Sequence, residues 1–175
     1  MKTNNIKNKI KEYFFLNPTI KLRVRQIERT IKVPLPSVIR YTKELEKEDI
    51  LTSLGISNIN VYSSNRSSKR FLLEKRLFNI RQLSNLTEFL IKELSNPTII
   101  VFGSYSKGED IENSDIDLFI ETSSNKKLNL EKFEKSLQRN IHIFTYKTIN
   151  NIENKELANN IVNGITLNGF VEVFK

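Results

Sequence analysis

Two stretches of this 175-residue chain place side chains where they could do chemistry together. A Gly-Ser pair, Gly103-Ser104, follows directly on the apolar run Thr98-Ile99-Ile100-Val101-Phe102, and Ser106-Lys107-Gly108 comes just after it. A few residues on, Ser114-Asp115-Ile116-Asp117-Leu118-Phe119-Ile120 carries two carboxylates two positions apart. The apolar run reads as a buried strand, and Gly103 allows a sharp turn into a short helix starting near Ser104. A helix start offers unsatisfied N–H groups to phosphate oxygens. Strand alternation puts Asp115 and Asp117 on one face, with Cα atoms roughly 7 Å apart, and turns Ile116, Leu118 and Ile120 to the other. Two carboxylates facing bound phosphates form a magnesium or manganese site, so the expected ligand is a metal-bound nucleoside triphosphate. Lys107 either approaches those phosphates or stays a solvated loop lysine.

With the strand before and the apolar strand after, these motifs resemble the nucleotidyltransferase superfamily typified by DNA polymerase beta. The resemblance covers about Pro97 to Phe174 and is strongest to the small stand-alone archaeal and bacterial members. It implies that Gly103 and Ser104 hold the triphosphate and that Asp115 and Asp117 bind two divalent ions. In-line attack on an alpha-phosphorus needs one ion to lower the pKa of the attacking hydroxyl and another to neutralise the leaving pyrophosphate. Family members usually carry a third carboxylate on the next strand over, which here is Asn140-Ile141-His142-Ile143-Phe144-Thr145-Tyr146. His142, the only histidine in the chain, stands at the position that looks equivalent. Imidazole can serve as a base near neutral pH but is a poorer magnesium ligand than a carboxylate. His142 is therefore either a catalytic base or a strand residue of a degenerate site. Asp110, Glu112 and Glu121 are alternative carboxylates, none of them where the family places its third.

The elements that position these residues read as an α+β chain of three parts: residues 1–65, a helical connector over 66–96, and a transferase-like part over 97–175 with a small mixed sheet flanked by helices. Charge divides unevenly among them. Residues 1–65 carry 12 Lys and Arg against 6 Asp and Glu, residues 66–96 carry 7 against 3, and residues 97–175 carry 9 against 11. The net charge of +8 thus lies outside the candidate catalytic part, as expected if the front of the chain meets a polyanion.

In that front part, Ile6, Ile10, Tyr13 and Phe14 recur at helical spacing up to a stop at Asn17-Pro18. Val24, Ile27 and Ile31 mark a second short helix. Pro36 fits the first turn of a third, running through Val38, Tyr41 and Leu45 into Lys47. Ile50 to Leu54 and Ile59 to Tyr62 read as strands around a break at Gly55-Ile56-Ser57-Asn58. About Ile6 to Asn65 resembles the winged helix-turn-helix domains of archaeal and bacterial regulators, with Tyr41 to Leu51 the most telling piece. The resemblance implies binding of double-stranded DNA, with Ser37, Arg40, Lys43 and Lys47 on the exposed side of the third helix. A helical protein-interaction domain is the alternative.

Ser63 to Ser68 reads as a polar linker, followed by one or two helices. The first carries Lys69, Arg70, Lys75 and Arg76 outward, and the second packs on the transferase sheet through Phe89 and Leu90. Leu128 to Leu137 and Asn154 to Val162 read as amphipathic helices, and Asn163 to Phe174 as strand-like with glycine turns that serve backbone geometry. With no cysteine and one histidine, the chain has neither a disulfide framework nor a zinc cluster, which fits a reducing cytoplasm. No apolar run nears membrane-spanning length, and no signal-peptide pattern opens the sequence, so no membrane partner is expected.

Two functions fit these modules. One is an enzyme that moves a nucleoside monophosphate from a triphosphate to a hydroxyl on a protein, RNA or small molecule, placed by the winged helix. The other is a DNA-binding transcriptional regulator whose transferase fold survives as a nucleotide sensor or a homodimerisation domain.

Overall fold

Apolar residues at helical spacing build the front of the chain. In α1 (Thr3–Leu16) Ile10, Phe14 and Phe15 are buried. The helix ends where the Asn17 backbone N–H and side-chain amide both donate to the Tyr13 carbonyl, at 3.0 and 2.9 Å, and Pro18 bars continuation. β1 (Lys21–Arg23) runs directly into α2 (Val24–Ile31), which buries Ile27 and stops at Lys32 in the left-handed region, φ 56°. α3 (Leu35–Lys47) starts with Pro36 in its first turn and buries Val38, Tyr41, Thr42 and Leu45. β2 (Leu51–Ile56) and β3 (Ile59–Ser64) complete an antiparallel sheet in the order β1-β3-β2. Each fully buried Ile, Leu or Phe in this core contributes about 1.5–3 kcal/mol.

The computed structural model describes residues 3–56 and 59–173. Ser57 and Asn58, where the sequence placed the tip of the break, and Phe174, at the end of the strand-like tail, lie outside the described residues. Gly55 and Ile56, expected in the break, instead extend β2, with Gly55 opposite Asn60. Ser63 and Ser64 belong to β3 and not to the linker: the Ser64 hydroxyl donates to the Phe14 carbonyl at 3.0 Å. The pairing of β2 with β3 supplies backbone hydrogen bonds to these polar residues, which outweighs their weak strand propensity.

By contact density the chain divides into two units, Met1–Phe78 and Asn79–Lys175. α4 (Lys69–Gln82) begins in the first and ends in the second. Its Phe71 and Phe78 are buried, with their rings 5.4 and 5.5 Å from that of Phe15. Lys75 corrects the expectation of an outward basic face: it is fully buried, while Leu73 and Leu77 are exposed. Lying four residues after Phe71 and three before Phe78, Lys75 shares their face of the helix.

The second unit is a four-stranded sheet covered on both sides. Its elements are α5 (Ser84–Glu93), β4 (Thr98–Phe102), α6 (Gly103–Lys107), β5 (Ile116–Glu121), α7 (Glu131–Leu137), β6 (Ile141–Tyr146), a 3-10 turn (Ile149–Asn151), α8 (Lys155–Val162) and β7 (Ile165–Asn168). The strand order is β6-β5-β4-β7, with β5 and β6 parallel and the other pairs antiparallel. Ile99, Val101, Leu118 and Ile120 face Leu86 and Leu90 of α5 and Leu137 of α7. Ile100, Phe102 and Phe119 face Ile149, Ile152 and Ile161 on the other side. α7 starts three residues later than the apolar spacing suggests, and Asn154 caps α8 by accepting from the Glu156 and Leu157 N–H groups. Gly164 serves backbone packing, since a Cβ there would lie 2.6 Å from the Val101 carbonyl oxygen. Among the described residues no helix is long and apolar enough to cross a membrane.

Candidate functional site

Strand register brings the chemistry-bearing residues to one end of the second sheet. The antiparallel pairing of β4 and β5 sets Phe102 opposite Asp117, so the turn at Gly103 opens beside that carboxylate. The parallel pairing of β5 and β6 sets Asp117 opposite His142. Asp115 lies one residue ahead of β5, and alternation places it on the same face as Asp117. His142 Nδ1 is 3.6 Å from Asp117 Oδ1 and 3.8 Å from Asp115 Oδ2. The floor of this corner is aromatic: the rings of Phe102 and Phe144 pack edge to face, 5.4 Å apart.

The geometry at Gly103 is demanding. Its φ is +71°, a conformation that costs any residue with a Cβ, and a Cβ there would sit 2.8 Å from Asp117 Oδ2. Ser104 follows in the first turn of α6, half-buried, and the Ser106 hydroxyl donates to the Gly103 carbonyl at 2.9 Å. Lys107 is exposed in the last turn.

Burial holds the Asp117 carboxyl above the ordinary carboxylate range; nearby Asp115 adds to this, while His142 opposes it. Asp117 is thus an anion short of solvation, placed where a cation would relieve it.

Sequence reading missed Asn140. Its side-chain amide donates to Asp115 Oδ1 at 3.0 Å and so fixes the carboxylate's orientation. An Asn just ahead of a strand carries no signal of its own, and only the parallel register shows that it meets Asp115. The alternative carboxylates lie in other roles. Asp110 is buried and accepts from the Asn79 amide at 2.7 Å, while Glu121, at the far end of β5, accepts from the Ile149 N–H at 3.2 Å. Glu112 lines an open cleft of about 370 Å³ beside Asp115, together with Ser114, Glu134, Gln138 and Asn140.

Residues 83–168 match the family model of the nucleotidyltransferase domain. The match takes in every strand of the second sheet together with Gly103, Ser104, Asp115, Asp117 and His142. No curated protein and no solved structure matches the chain. Among the described residues no group of three or more His, Cys, Asp or Glu side chains has the geometry to hold a metal by itself. The donor set of Asp115 and Asp117 still suits magnesium, which is commonly held by one or two carboxylates with substrate phosphates completing its shell.

The residues expected to meet DNA lie in the first unit. Ser37 is half-buried in the first turn of α3, and Arg40, Lys43 and Lys47 are exposed. Arg40 is engaged within its own helix. Its Nε donates to Glu44 Oε1 at 2.9 Å, and its guanidinium lies 5.4 Å from the centre of the Tyr41 ring. The hydrogen bond from Arg40 holds the Glu44 carboxyl below its usual range.

Proposed function

We propose that the second unit transfers a nucleoside monophosphate from a nucleoside triphosphate to an acceptor hydroxyl, and that a winged-helix front unit places it on double-stranded DNA. The observation that carries this reading is the convergence of Asp115 and Asp117 beside the left-handed turn at Gly103.

In this reading the missing Cβ of Gly103 leaves room for the Asp117 carboxylate beside the turn, so that a triphosphate held at Ser104 lies next to Asp117. Asp115, oriented by Asn140, and Asp117 hold the divalent ions. Bound magnesium would supply activation of the acceptor hydroxyl and neutralisation of the pyrophosphate. The chain's own contribution is positioning: two carboxylates fixed by strand register, an imidazole on the neighbouring strand able to take the hydroxyl proton, and a cleft beside Asp115 with room for the acceptor.

Incubating the full chain with labelled triphosphates, magnesium or manganese, and a cell extract tests this directly. Label should appear on an acceptor with wild type and not with Asp115→Asn plus Asp117→Asn. A second reading, a DNA-binding regulator with a degenerate transferase fold, is favoured by one observation: the strand beside β5 sets a histidine, His142, and no carboxylate opposite Asp117. Metal-dependent triphosphate binding with no transfer to any acceptor would select it.

A further inference from the structure

We propose that the main contact between the first unit and duplex DNA is a phosphate-binding strip along β1 and α2, formed by Lys21, Arg23, Arg25, Arg29 and Lys32, and not the exposed side of α3. The inference rests on the reading that this unit meets DNA, and it moves the footprint away from the helix that the sequence singled out.

All five cations are exposed, and none enters an ion pair among the described residues. Glu28 is the single acid between Lys21 and Lys32. The strand alternation of β1 buries Leu22 and turns Lys21 and Arg23 outward together. α2 starts at the next residue and buries Ile27, so Arg25 and Arg29, one helical turn apart, stand on the side opposite the core. Along the backbone, β1 and α2 carry these five positions over roughly 20 Å of chain at the usual rise per residue of strand and helix. Three of the five are arginines, whose forked donors suit phosphate oxygens.

The neighbouring surfaces are poorer in available charge. Arg40 on α3 is committed to Glu44, and the helix and the turn after it carry Glu44, Glu46, Glu48 and Asp49. The hairpin of β2 and β3 has no Asp, Glu, Lys or Arg anywhere from Ile50 to Asn65. Other polyanions fit the strip less well. A membrane-surface helix would need its apolar face free, and Ile27 of α2 is in the core. Single-stranded nucleic acid is held by stacking on aromatic rings, and Lys21 to Lys32 contains none.

Fluorescence anisotropy of the full chain with a mixed-sequence duplex, over a salt series, decides the matter. Five phosphate contacts give a slope of log K against log salt of about −4.5. Arg25→Ala plus Arg29→Ala should flatten that slope by about 2, and Lys21→Ala plus Arg23→Ala should do the same, with the far-ultraviolet circular dichroism spectrum unchanged. Arg40→Ala plus Lys43→Ala should flatten it by no more than about 1. If the α3 pair flattens the slope and the two strip pairs do not, the strip is overturned while DNA binding stands. If wild type ignores the duplex at low salt, or binds phosphatidylserine vesicles in its place, both readings fall.

Discussion

The missing side chain of Gly103 makes room for Asp117: a Cβ on the glycine would lie 2.8 Å from the Asp117 Oδ2 atom, and the glycine φ of +71° already disfavours one. The turn after β4 and the carboxylate of β5 therefore depend on each other. Gly103→Ala should cost about 1–3 kcal/mol in urea unfolding, from backbone strain and the displaced carboxylate, and should weaken triphosphate binding more than tenfold. Unchanged stability and affinity would mean that the turn is not built around Asp117.

Asp115→Asn plus Asp117→Asn should abolish the metal dependence of triphosphate binding, because two neutral amides cannot hold the ion between protein and phosphates. Calorimetry with ATP and magnesium reads this out. An unchanged metal-dependent affinity in the double variant would sink the assignment of this site.

The raised Asp117 carboxyl has a consequence for stability that can be measured without nucleotide. The folded chain holds this proton more tightly than the unfolded chain does, so the stabilisation is full below the unfolded value of about 3.9 and is lost as pH rises through the higher folded value. Asp117→Asn removes that loss. In EDTA its Tm should match wild type near pH 3.5 and exceed it at neutral pH. A variant less stable than wild type at neutral pH would contradict the burial and repulsion that raise this group.

His142 separates the enzyme from the regulator. If it takes the acceptor proton, His142→Ala should lower transfer at least a hundredfold and leave triphosphate affinity nearly unchanged. If the site is degenerate, wild type should transfer poorly and His142→Asp should raise the rate by restoring a carboxylate beside Asp117. Robust transfer indifferent to both variants would put the third catalytic group elsewhere.

Asn79 ties α4 to α6 and to the loop before β5, donating to the Tyr105 carbonyl at 2.9 Å and to Asp110 at 2.7 Å. Asn79→Ala leaves the buried Asp110 carboxylate short of a donor and should cost about 1–3 kcal/mol in urea unfolding. A cost under 0.5 kcal/mol would show that this tie is dispensable.

Features set by local physics were legible in the residues alone. Proline and glycine marked the end of α1 and the starts of α3 and α6, alternation turned Ile116, Leu118 and Ile120 into the core, and spacing singled out Gly103, Ser104, Asp115 and Asp117. Which residues touch emerged from the packing of distant elements. β1 has three residues and one buried leucine, too few for a period to show. α4 carries apolar and basic residues all round, so packing of Phe71 and Phe78 had to choose its inner face, and that choice buried Lys75 and exposed Leu73 and Leu77. The parallel register of β5 and β6 joins residues 25 positions apart, and it alone sets His142 beside Asp117 and Asn140 against Asp115. Periodicity reports which way a side chain points from its own backbone; its partners follow from the pairing of distant strands, which no local pattern encodes.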